Sequence, residues 1–394
     1  MRFSIDHVLA LSKGIFNPYL LFAFLPYILY RDQSVLNLLK TQPLGRPLLE
    51  PLLNAFLNTL RNSQDLLPLT IPPVLGALYD FNTYLNRRIV DSGIKDRYNW
   101  PKEIAVITGG AGAVGSATAE SLLSLGVGTI ILLDLREPPA HLLKDPRVHF
   151  YRCDISSFPS VQSTVHTLKT AHGVPTILIL ASGLLHTGTL ISTPSANLTA
   201  SIHSNLLGPM HILKTLVPPM TIPNHGHIIS LTSSLSALPL PFTLDFSASE
   251  LALQHVLQGL QSETFNYYRA SRLRYSSITT GLIKTPLTSY ARLPNTFLYP
   301  HLEVSDVTAK IIDILKSGDS TNVMLPKAGY VPYFIARFCP DWLRWTTQYC
   351  AARMQVFAYL RPTEVVGVDG KSLMERETPQ FEEGHPKEWW DYAS

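Results

Sequence analysis

Seven short and nearly continuous apolar runs recur between residues 103 and 326, and each is followed by a segment long enough for a helix. Apolar runs of this length, bounded by glycine, proline or polar residues, are typical of strands that are buried on both faces. Strands of this kind alternating with helices form a parallel sheet that helices cover on both sides. The predicted strands are 103–110, 129–135, 149–155, 176–182, 227–233, 275–281 and 322–326.

The first hundred residues fall outside this alternation and are unusually apolar. They contain two apolar stretches, 14–30 and 66–79, and prolines break both of them. Residues 14–30 are fewer than the about 20 that a spanning helix needs. No small-residue cleavage site follows them, so a secretory signal is not predicted. The stretches are therefore either ordinary helices packed on the domain or an anchor that is embedded in a membrane or lies on it.

The C-terminal part of the chain also lies outside the strand–helix alternation. Residues 329–360 combine aromatic residues and arginines at helical spacing, which predicts an amphipathic helical segment that lies on a membrane or closes a substrate pocket. Residues 361–394 are polar, acidic and proline-bearing, which predicts a disordered tail. The predicted organisation is thus an N-terminal extension over 1–100, an α/β domain over 101–328, and these two C-terminal segments.

Composition narrows the classes of partner. Of the 394 residues, 46% are hydrophobic and 15% are charged, which favours a large core, a membrane contact, or both. The net charge of +3 is not gathered into a basic stripe, so nucleic acid is not predicted as a partner. Cys153, Cys339 and Cys350 form neither a disulfide framework nor paired metal-ligand spacing. Reduced thiols facing the cytosol, and no metal site, are therefore predicted.

The segment TGGAGAVG, residues 108–115, directly follows the first strand and opens a helix. Residues without bulky side chains let backbone N–H groups and the helix N-terminus approach a pyrophosphate. Asp134 ends the second strand, where a carboxylate accepts hydrogen bonds from a ribose diol and repels a 2′-phosphate. The pattern predicts a Rossmann-like, doubly wound sheet that binds NAD(H) in preference, and Arg136 leaves NADP(H) open.

These residues resemble the short-chain dehydrogenase/reductase family over about residues 103–326. The family's T-G-x-x-x-G-x-G pattern has Ala113 in place of its middle glycine here. The resemblance implies that Asp154 steadies the adenine pocket and that Thr285 faces the nicotinamide carboxamide. Of the family's N-N-A-G run only Gly183 is retained, which implies weaker bracing of the sheet. The residues that match the glycine pattern or stand beside it are Thr108, Gly109, Gly112 and Gly115.

The resemblance also implies a catalytic set, and two of its members are changed. Ser233 and Asn205 match the family's catalytic serine and helix asparagine, whereas Phe246 and Glu250 stand at the tyrosine and lysine positions. In the family the tyrosine exchanges a proton with the substrate oxygen, and the lysine binds the nicotinamide ribose and lowers the tyrosine pKa. Phenylalanine keeps the ring and loses the proton, and glutamate is expected to invert the charge.

The apolar extension and residues 99–110 look most like the membrane-associated branch of the family, which acts on retinoids, steroids and other lipids. One hypothesis is an NAD(P)-dependent oxidoreductase for an apolar lipid, retinoid, steroid or polyketide-like alcohol or ketone, with a relay of Ser233, Asn205 and water. A second is a dinucleotide-binding pseudoenzyme that regulates or scaffolds. A third is an isomerase or dehydratase with Glu250 as its base.

The expected partners follow from the same hypotheses. They are an apolar small molecule and a cytosol-facing membrane or lipid-droplet surface, with the endoplasmic reticulum as the expected membrane. A homodimer stays open.

Overall fold

The seven predicted strands are all present and belong to one parallel sheet. The computed structural model describes residues 67–94, 96–191, 193–288 and 300–353. The strands are β1 (Ile104–Thr108), β2 (Thr129–Asp134), β3 (Val148–Arg152), β4 (Ile177–Leu180), β5 (Gly226–Ser233), β6 (Leu273–Thr280) and β7 (Asn322–Leu325). The α-helices of these ranges are α1 (Leu67–Ile89), α2 (Ala113–Leu125), α3 (Phe158–His172), α4 (Ser195–Ile202), α5 (Gly208–Thr221), α6 (Leu244–Asn266), α7 (Val304–Ser317), α8 (Tyr330–Phe338) and α9 (Asp341–Arg353).

The sheet order is β3-β2-β1-β4-β5-β6-β7, and every neighbouring pair of strands is parallel. β1 pairs with β2 on one side and with β4 on the other, so the chain moves outward from β1 in two directions. In doubly wound sheets of this kind, ligands bind at the carboxyl ends of the strands, beside the point where the direction reverses. The predicted fold class is confirmed.

Both faces of the sheet are buried. Successive residues of a strand point to opposite sides, so each strand contributes residues to two apolar cores. In β1, Val106 belongs to one apolar core together with residues of α3, α5 and α6, whereas Ala105 and Ile107 belong to a second core with residues of α2 and α7. Burying both faces requires apolar residues at consecutive positions, and the strands therefore appear in the sequence as continuous apolar runs.

The N-terminal region is described from residue 67 onward, so the apolar stretch 14–30 lies outside the described residues. The prolines in the stretch 66–79 do not break the helix there, since α1 runs without interruption from Leu67 to Ile89. Several large apolar side chains of α1 are exposed, among them Tyr79 and Phe81. Within the described ranges, no helix combines the length and the apolar character needed to cross a bilayer.

The C-terminal segment predicted over 329–360 contains two helices, α8 and α9, in place of one. Cys339 and Pro340 separate them, because a proline lacks the backbone N–H and disfavours a helical conformation in the residue before it. Residues 354–360 and the tail 361–394, for which disorder is predicted, lie outside the described residues.

A buried ion pair lies at the amino edge of the sheet, and one partner comes from the predicted extension. The guanidinium of Arg274 is 3.5 Å from the carboxylate of Asp91, and both side chains are almost fully buried. Arg274 also donates to the carbonyl oxygens of Gly318, at 3.2 Å, and Ile94. The Asp91 carboxylate accepts hydrogen bonds from the Ser320 N–H. The segment that begins at residue 91 is therefore attached to the start of β6.

A second polar cluster holds the same segment a few residues later. His225 contacts the Asp96 carboxylate at 2.7 Å and the Glu103 carboxylate at 3.2 Å. Hydrogen bonds to these two carboxylates raise the pKa of His225 to about 9, so the imidazole is charged at neutral pH. Arg272 adds a second cation, 3.2 Å from Asp96. Asp91, Ile94 and Asp96, which the sequence assigns to the extension, thus contact residues of the α/β unit.

We expect Asp91→Ala to lower the free energy of unfolding by about 3–5 kcal/mol, because it leaves the buried Arg274 guanidinium without its counter-charge. Glu120→Gln is the control, since the Glu120–His141 pair is about half exposed and such pairs contribute about 0–1 kcal/mol. Urea unfolding of both variants measures the difference. An Asp91→Ala protein as stable as the control would mean that Arg274 has another partner or reaches water.

Candidate active site

The turn between β1 and α2 is built by close contact between backbone segments. Gly109 has a φ of +69°, which glycine adopts without strain. A Cβ atom on Gly115 would lie 2.2 Å from the Gly109 carbonyl oxygen, so only glycine fits there. Gly112 is the N-cap of α2, and Ala113, at the family's middle glycine position, is its first residue. The unpaired N–H groups of the first helical turn can therefore approach a pyrophosphate directly.

Asp134 is held beside this turn at the end of β2. One carboxylate oxygen accepts the Ala111 N–H at 3.0 Å, and the other accepts the Arg136 N–H at 3.0 Å. Each carboxylate oxygen has two acceptor positions, so both oxygens retain capacity for a ribose hydroxyl. The glycine turn, the helix N-terminus and this carboxylate together fit a nicotinamide dinucleotide. The hydride chemistry would be the cofactor's own.

The bracing between β1 and β4 persists although the family's asparagines are absent. The Thr108 hydroxyl donates to the Ser182 hydroxyl at 3.2 Å and accepts the Ala181 N–H at 3.2 Å. Gly183 follows, and a Cβ atom there would meet no atom within 4 Å. The weaker bracing implied by the sequence is thus partly compensated by hydroxyl groups at the carboxyl ends of the two strands.

The other two predicted cofactor residues lie in loops at the same edge. Asp154 follows β3, and one of its carboxylate oxygens accepts the Ser156 N–H at 2.9 Å and the Ser156 hydroxyl at 2.6 Å. Thr285 follows β6, and its hydroxyl lies 3.1 Å from the Thr288 hydroxyl. Each side chain thus stabilises its own loop, and their assignment to the adenine and the carboxamide stays a prediction.

Glu250 lies against the end of β5, where Ser233 stands. The Glu250 carboxylate oxygen Oε2 accepts the Ser233 N–H at 3.1 Å, and the side chain is almost fully buried. Burial raises the pKa of Glu250 to about 8, against the weaker opposing effect of this hydrogen bond. Because no described cation offsets the burial, the carboxyl is mainly protonated at neutral pH. The expectation that Glu250 inverts the charge of the site is therefore wrong at neutral pH.

Phe246 precedes Glu250 by one turn of α6 and contributes an apolar ring to the same end of the helix. It packs against a small cluster of apolar side chains supplied by the loops after β4, β5 and β6. These three loops follow the carboxyl ends of strands, which is where ligands bind in doubly wound sheets, and this edge is therefore apolar at this point. The other members of the cluster are Leu185, Leu282, Leu235, Leu240 and Phe242.

Asn205 lies on a single π-helical turn, His203–Leu207, between α4 and α5, and turns of this type are frequent at functional sites. Its Oδ1 accepts the Leu184 N–H at 2.7 Å, and its Nδ2 donates to the Leu184 carbonyl at 2.8 Å. The second amide hydrogen is directed at Ser249, 3.4 Å away. The side chain therefore positions the loop after β4, and its part in the predicted relay stays a prediction.

A family model for short chain dehydrogenases matches residues 103–295. Dehydrogenase RED2 of Cochliobolus heterostrophus is 30% identical over 192 residues, which cover 49% of this chain and 70% of that protein. The chain belongs to the short-chain dehydrogenase family. Membership implies a nicotinamide dinucleotide, NAD or NADP, as its cofactor.

Other relatives extend the comparison beyond the matched domain. Human 17-beta-hydroxysteroid dehydrogenase 13 is 27% identical over 242 residues, or 60% of this chain and 77% of that protein. Human epidermal retinol dehydrogenase 2 is 24% identical over 253 residues, or 62% and 81%. A short-chain dehydrogenase/reductase structure from Mycobacterium ulcerans has a TM-score of 0.52 at 19% identity, covering 61% of this chain and 97% of its own, and it supports the fold alone.

Two polar residues of this short-chain dehydrogenase site were missed from the sequence. Gln254, one turn after Glu250, donates to the hydroxyls of Thr232, at 2.8 Å, and Ser236, at 3.0 Å. Phe246, Glu250 and Gln254 follow one another at intervals of four residues. This spacing places Gln254 on the same face of α6 and could have identified it from the sequence. His186, in the loop after β4, is buried, and among the described residues neither ring nitrogen has a hydrogen-bond partner. Burial lowers its pKa, and nothing in the sequence distinguishes this histidine from a packed one.

We expect Gly115→Ala to weaken dinucleotide binding by roughly tenfold or more, about 1.4 kcal/mol, because the added methyl group displaces the Gly109 backbone. Gly259→Ala is the control, since a Cβ atom there meets no atom within 4 Å and alanine favours the middle of a helix. Calorimetric titration with NADH measures both, after thermal unfolding shows that each variant is folded. Unchanged affinity in folded Gly115→Ala protein would contradict the assigned turn.

Proposed function

We propose that the protein transfers hydride between a nicotinamide dinucleotide and an apolar alcohol or ketone, and that Glu250 replaces the missing tyrosine as the source and acceptor of the proton. The observation that supports this proposal is the buried carboxyl held 3.1 Å from the Ser233 N–H, at the end of β5. An acid whose pKa lies near the working pH is suited to proton exchange in both directions, and the pKa of Glu250 is about 8.

The proposed proton path uses the residues beside the carboxyl. The Ser233 hydroxyl contacts the substrate oxygen, and protonated Glu250 restores the proton that the hydroxyl gives up when a ketone is reduced. In alcohol oxidation the proton moves the other way, to ionised Glu250, and a nicotinamide dinucleotide would supply the hydride acceptor. A neutral carboxylic acid kept protonated by an apolar site is an established device for donating a hydrogen bond or a proton at neutral pH.

An apolar substrate fits the surroundings of this path. Phe246 and its cluster form an apolar wall, and a wall of this kind favours a substrate with one oxygen on a hydrocarbon frame. Two relatives are named for hydroxysteroid and retinol dehydrogenation, which supports a steroid- or retinoid-like alcohol as the substrate class.

A pseudoenzyme is the second candidate, and Phe246 favours it. The phenyl ring has no dissociable proton and packs among apolar side chains. Under this hypothesis the protein binds the dinucleotide and does not turn over. The isomerase or dehydratase hypothesis uses ionised Glu250 as its base, a form that alcohol oxidation also uses, so the pKa of about 8 does not separate the two. No described contact favours that third hypothesis.

We expect tighter binding of NAD(H) than of NADP(H), because the Asp134 carboxylate repels a 2′-phosphate. Asp134→Ala should erase or reverse the preference. Asp134→Asn, which keeps an acceptor for the Ala111 N–H, separates the charge from the geometry of the turn. Titration of each variant with both reduced cofactors measures the two affinities. Equal affinities in the unmodified protein would indicate that Arg136 recognises the ribose in place of Asp134.

We expect Glu250→Gln to lower the rate of hydride transfer by about 10²–10⁴-fold, since the amide keeps the acceptor for Ser233 and loses the acid. In the unmodified protein, ketone reduction should fall as the pH rises through about 8, where Glu250 loses its proton, and alcohol oxidation should rise over the same range. Nicotinamide absorbance with a panel of steroid, retinoid and fatty alcohols and ketones measures both. Glu263→Gln, an exposed change on the same helix, is the control.

Two further variants separate the candidates. If the unmodified protein is silent with the whole panel and Phe246→Tyr with Glu250→Lys raises hydride transfer by orders of magnitude, the pseudoenzyme hypothesis is supported. If the unmodified protein turns over, and Ser233→Ala abolishes the rate while Glu250→Gln leaves it unchanged, the proton comes from another group and the proposal for Glu250 fails.

A further inference from the structure

The helices α8 and α9 carry a dense set of exposed large apolar side chains. Phe338 is 71% exposed, Trp342 68% and Trp345 64%. Soluble monomers rarely leave an apolar patch of this size uncovered unless the patch binds a partner or a membrane. We call this set the aromatic surface, and its members are Tyr330, Val331, Tyr333, Phe334, Phe338, Trp342, Trp345 and Tyr349.

The aromatic surface lies at the carboxyl edge of the sheet, on the side of the candidate active site. The chain leaves β7 at Leu325 and enters α8 five residues later. Gln348 of α9 donates to the Pro239 carbonyl at 3.0 Å, in the loop that joins Ser233 to α6. The loop after β4 lies at the same edge and exposes Ile191 by 99%. Apolar groups from one loop and two helices are thus exposed at this edge.

Within each helix, three of the exposed apolar residues form a stripe, and in α8 Tyr330 and Tyr333 lie beside it. In α8 the exposed stripe is Val331, Phe334 and Phe338, and in α9 it is Trp342, Trp345 and Tyr349. Both follow the spacing i, i+3, i+7, which places the side chains on one face of a helix. Short helices with one aromatic face are typical of segments that lie in the plane of a membrane interface.

The charges and the ring types favour a lipid surface as the partner. Residues 327–353 contain four lysines or arginines and one acidic residue. Arg337 lies over the Tyr333 ring, 6.0 Å from its centroid, and Arg344 is about half exposed. Tryptophan and tyrosine prefer the headgroup level of a bilayer, and basic residues there are attracted to anionic lipids.

We propose that the aromatic surface of α8 and α9 rests on a lipid surface with anionic headgroups and turns the carboxyl edge of the sheet toward the lipid. The exposed aromatic side chains of α8 and α9, their helical spacing and the nearby basic residues support lipid binding independently of the proposed reaction. Lipid binding is therefore tested without substrate or cofactor.

The experiment uses the full chain and vesicles of phosphatidylcholine with or without phosphatidylserine. Brominated lipid should quench the fluorescence of Trp342 and Trp345. The contribution of these two residues is the fluorescence that is lost in the double variant Trp342→Phe with Trp345→Phe. Arg337→Glu with Arg344→Glu should weaken binding to the phosphatidylserine vesicles by about tenfold or more, since each basic residue near an anionic surface adds to the attraction. Binding to vesicles of phosphatidylcholine alone should change much less.

The matched control changes equally exposed apolar residues at the opposite edge of the sheet. Ile222, before β5, is 85% exposed and Tyr267, before β6, is 83% exposed. Ile222→Ser with Tyr267→Ser should leave vesicle binding unchanged, whereas Trp342→Ser with Trp345→Ser should weaken it by about tenfold or more.

Two outcomes would overturn the proposal. Protein that sediments with vesicles while Trp342 and Trp345 stay unquenched would show that another part of the chain makes the contact. A dimer that dissociates in Trp342→Ser with Trp345→Ser protein would show that a second copy covers the aromatic surface.

Discussion

A parallel sheet must bury both of its faces, and this constraint confines polar chemistry to the two ends of the strands. At the carboxyl edge the glycine turn follows β1, and Asp134 and Ser233 are the last residues of β2 and β5, so the apolar strands hold all three in place. At the amino edge the only stable solution for charge is pairing, and Asp91 with Arg274 provides it. The carboxyl edge therefore keeps hydrogen-bonding groups available for a ligand, whereas at the amino edge the charges of Asp91 and Arg274 are paired with each other.

The strands and the glycine turn could be predicted because their causes are local. A run such as Ile104–Thr108 is apolar at consecutive positions wherever it lies, and Gly115 is required by a contact only six residues away. The protonation of Glu250 depends on its burial against the end of β5, and no spacing in the sequence reports that burial. The same holds for Asn205, whose type suggests a proton relay although its partners are the backbone atoms of Leu184.

Phe246 and Glu250 make physical sense as a pair of changes. A lysine beside a tyrosine is useful because its charge lowers the tyrosine pKa, and this purpose disappears when the hydroxyl is absent. A buried lysine without a partner would then carry only the cost of desolvation. A glutamic acid at the same place avoids that cost by staying protonated, and it gains a hydrogen bond from the Ser233 N–H. At neutral pH this position is thus mainly uncharged, whereas the family's lysine would be a cation there.

Arg274 contacts Asp91 and Ile94, and Arg272 and His225 contact Asp96. These contacts have a mechanical consequence. A force applied to the chain before residue 91 is carried by the first residues of β6 and not by a slack linker. Since β6 pairs with β5 along its whole length, the load passes into the centre of the sheet. Pulling on the chain from its N-terminal side therefore loads the sheet itself, through the contacts of Asp91, Ile94 and Asp96.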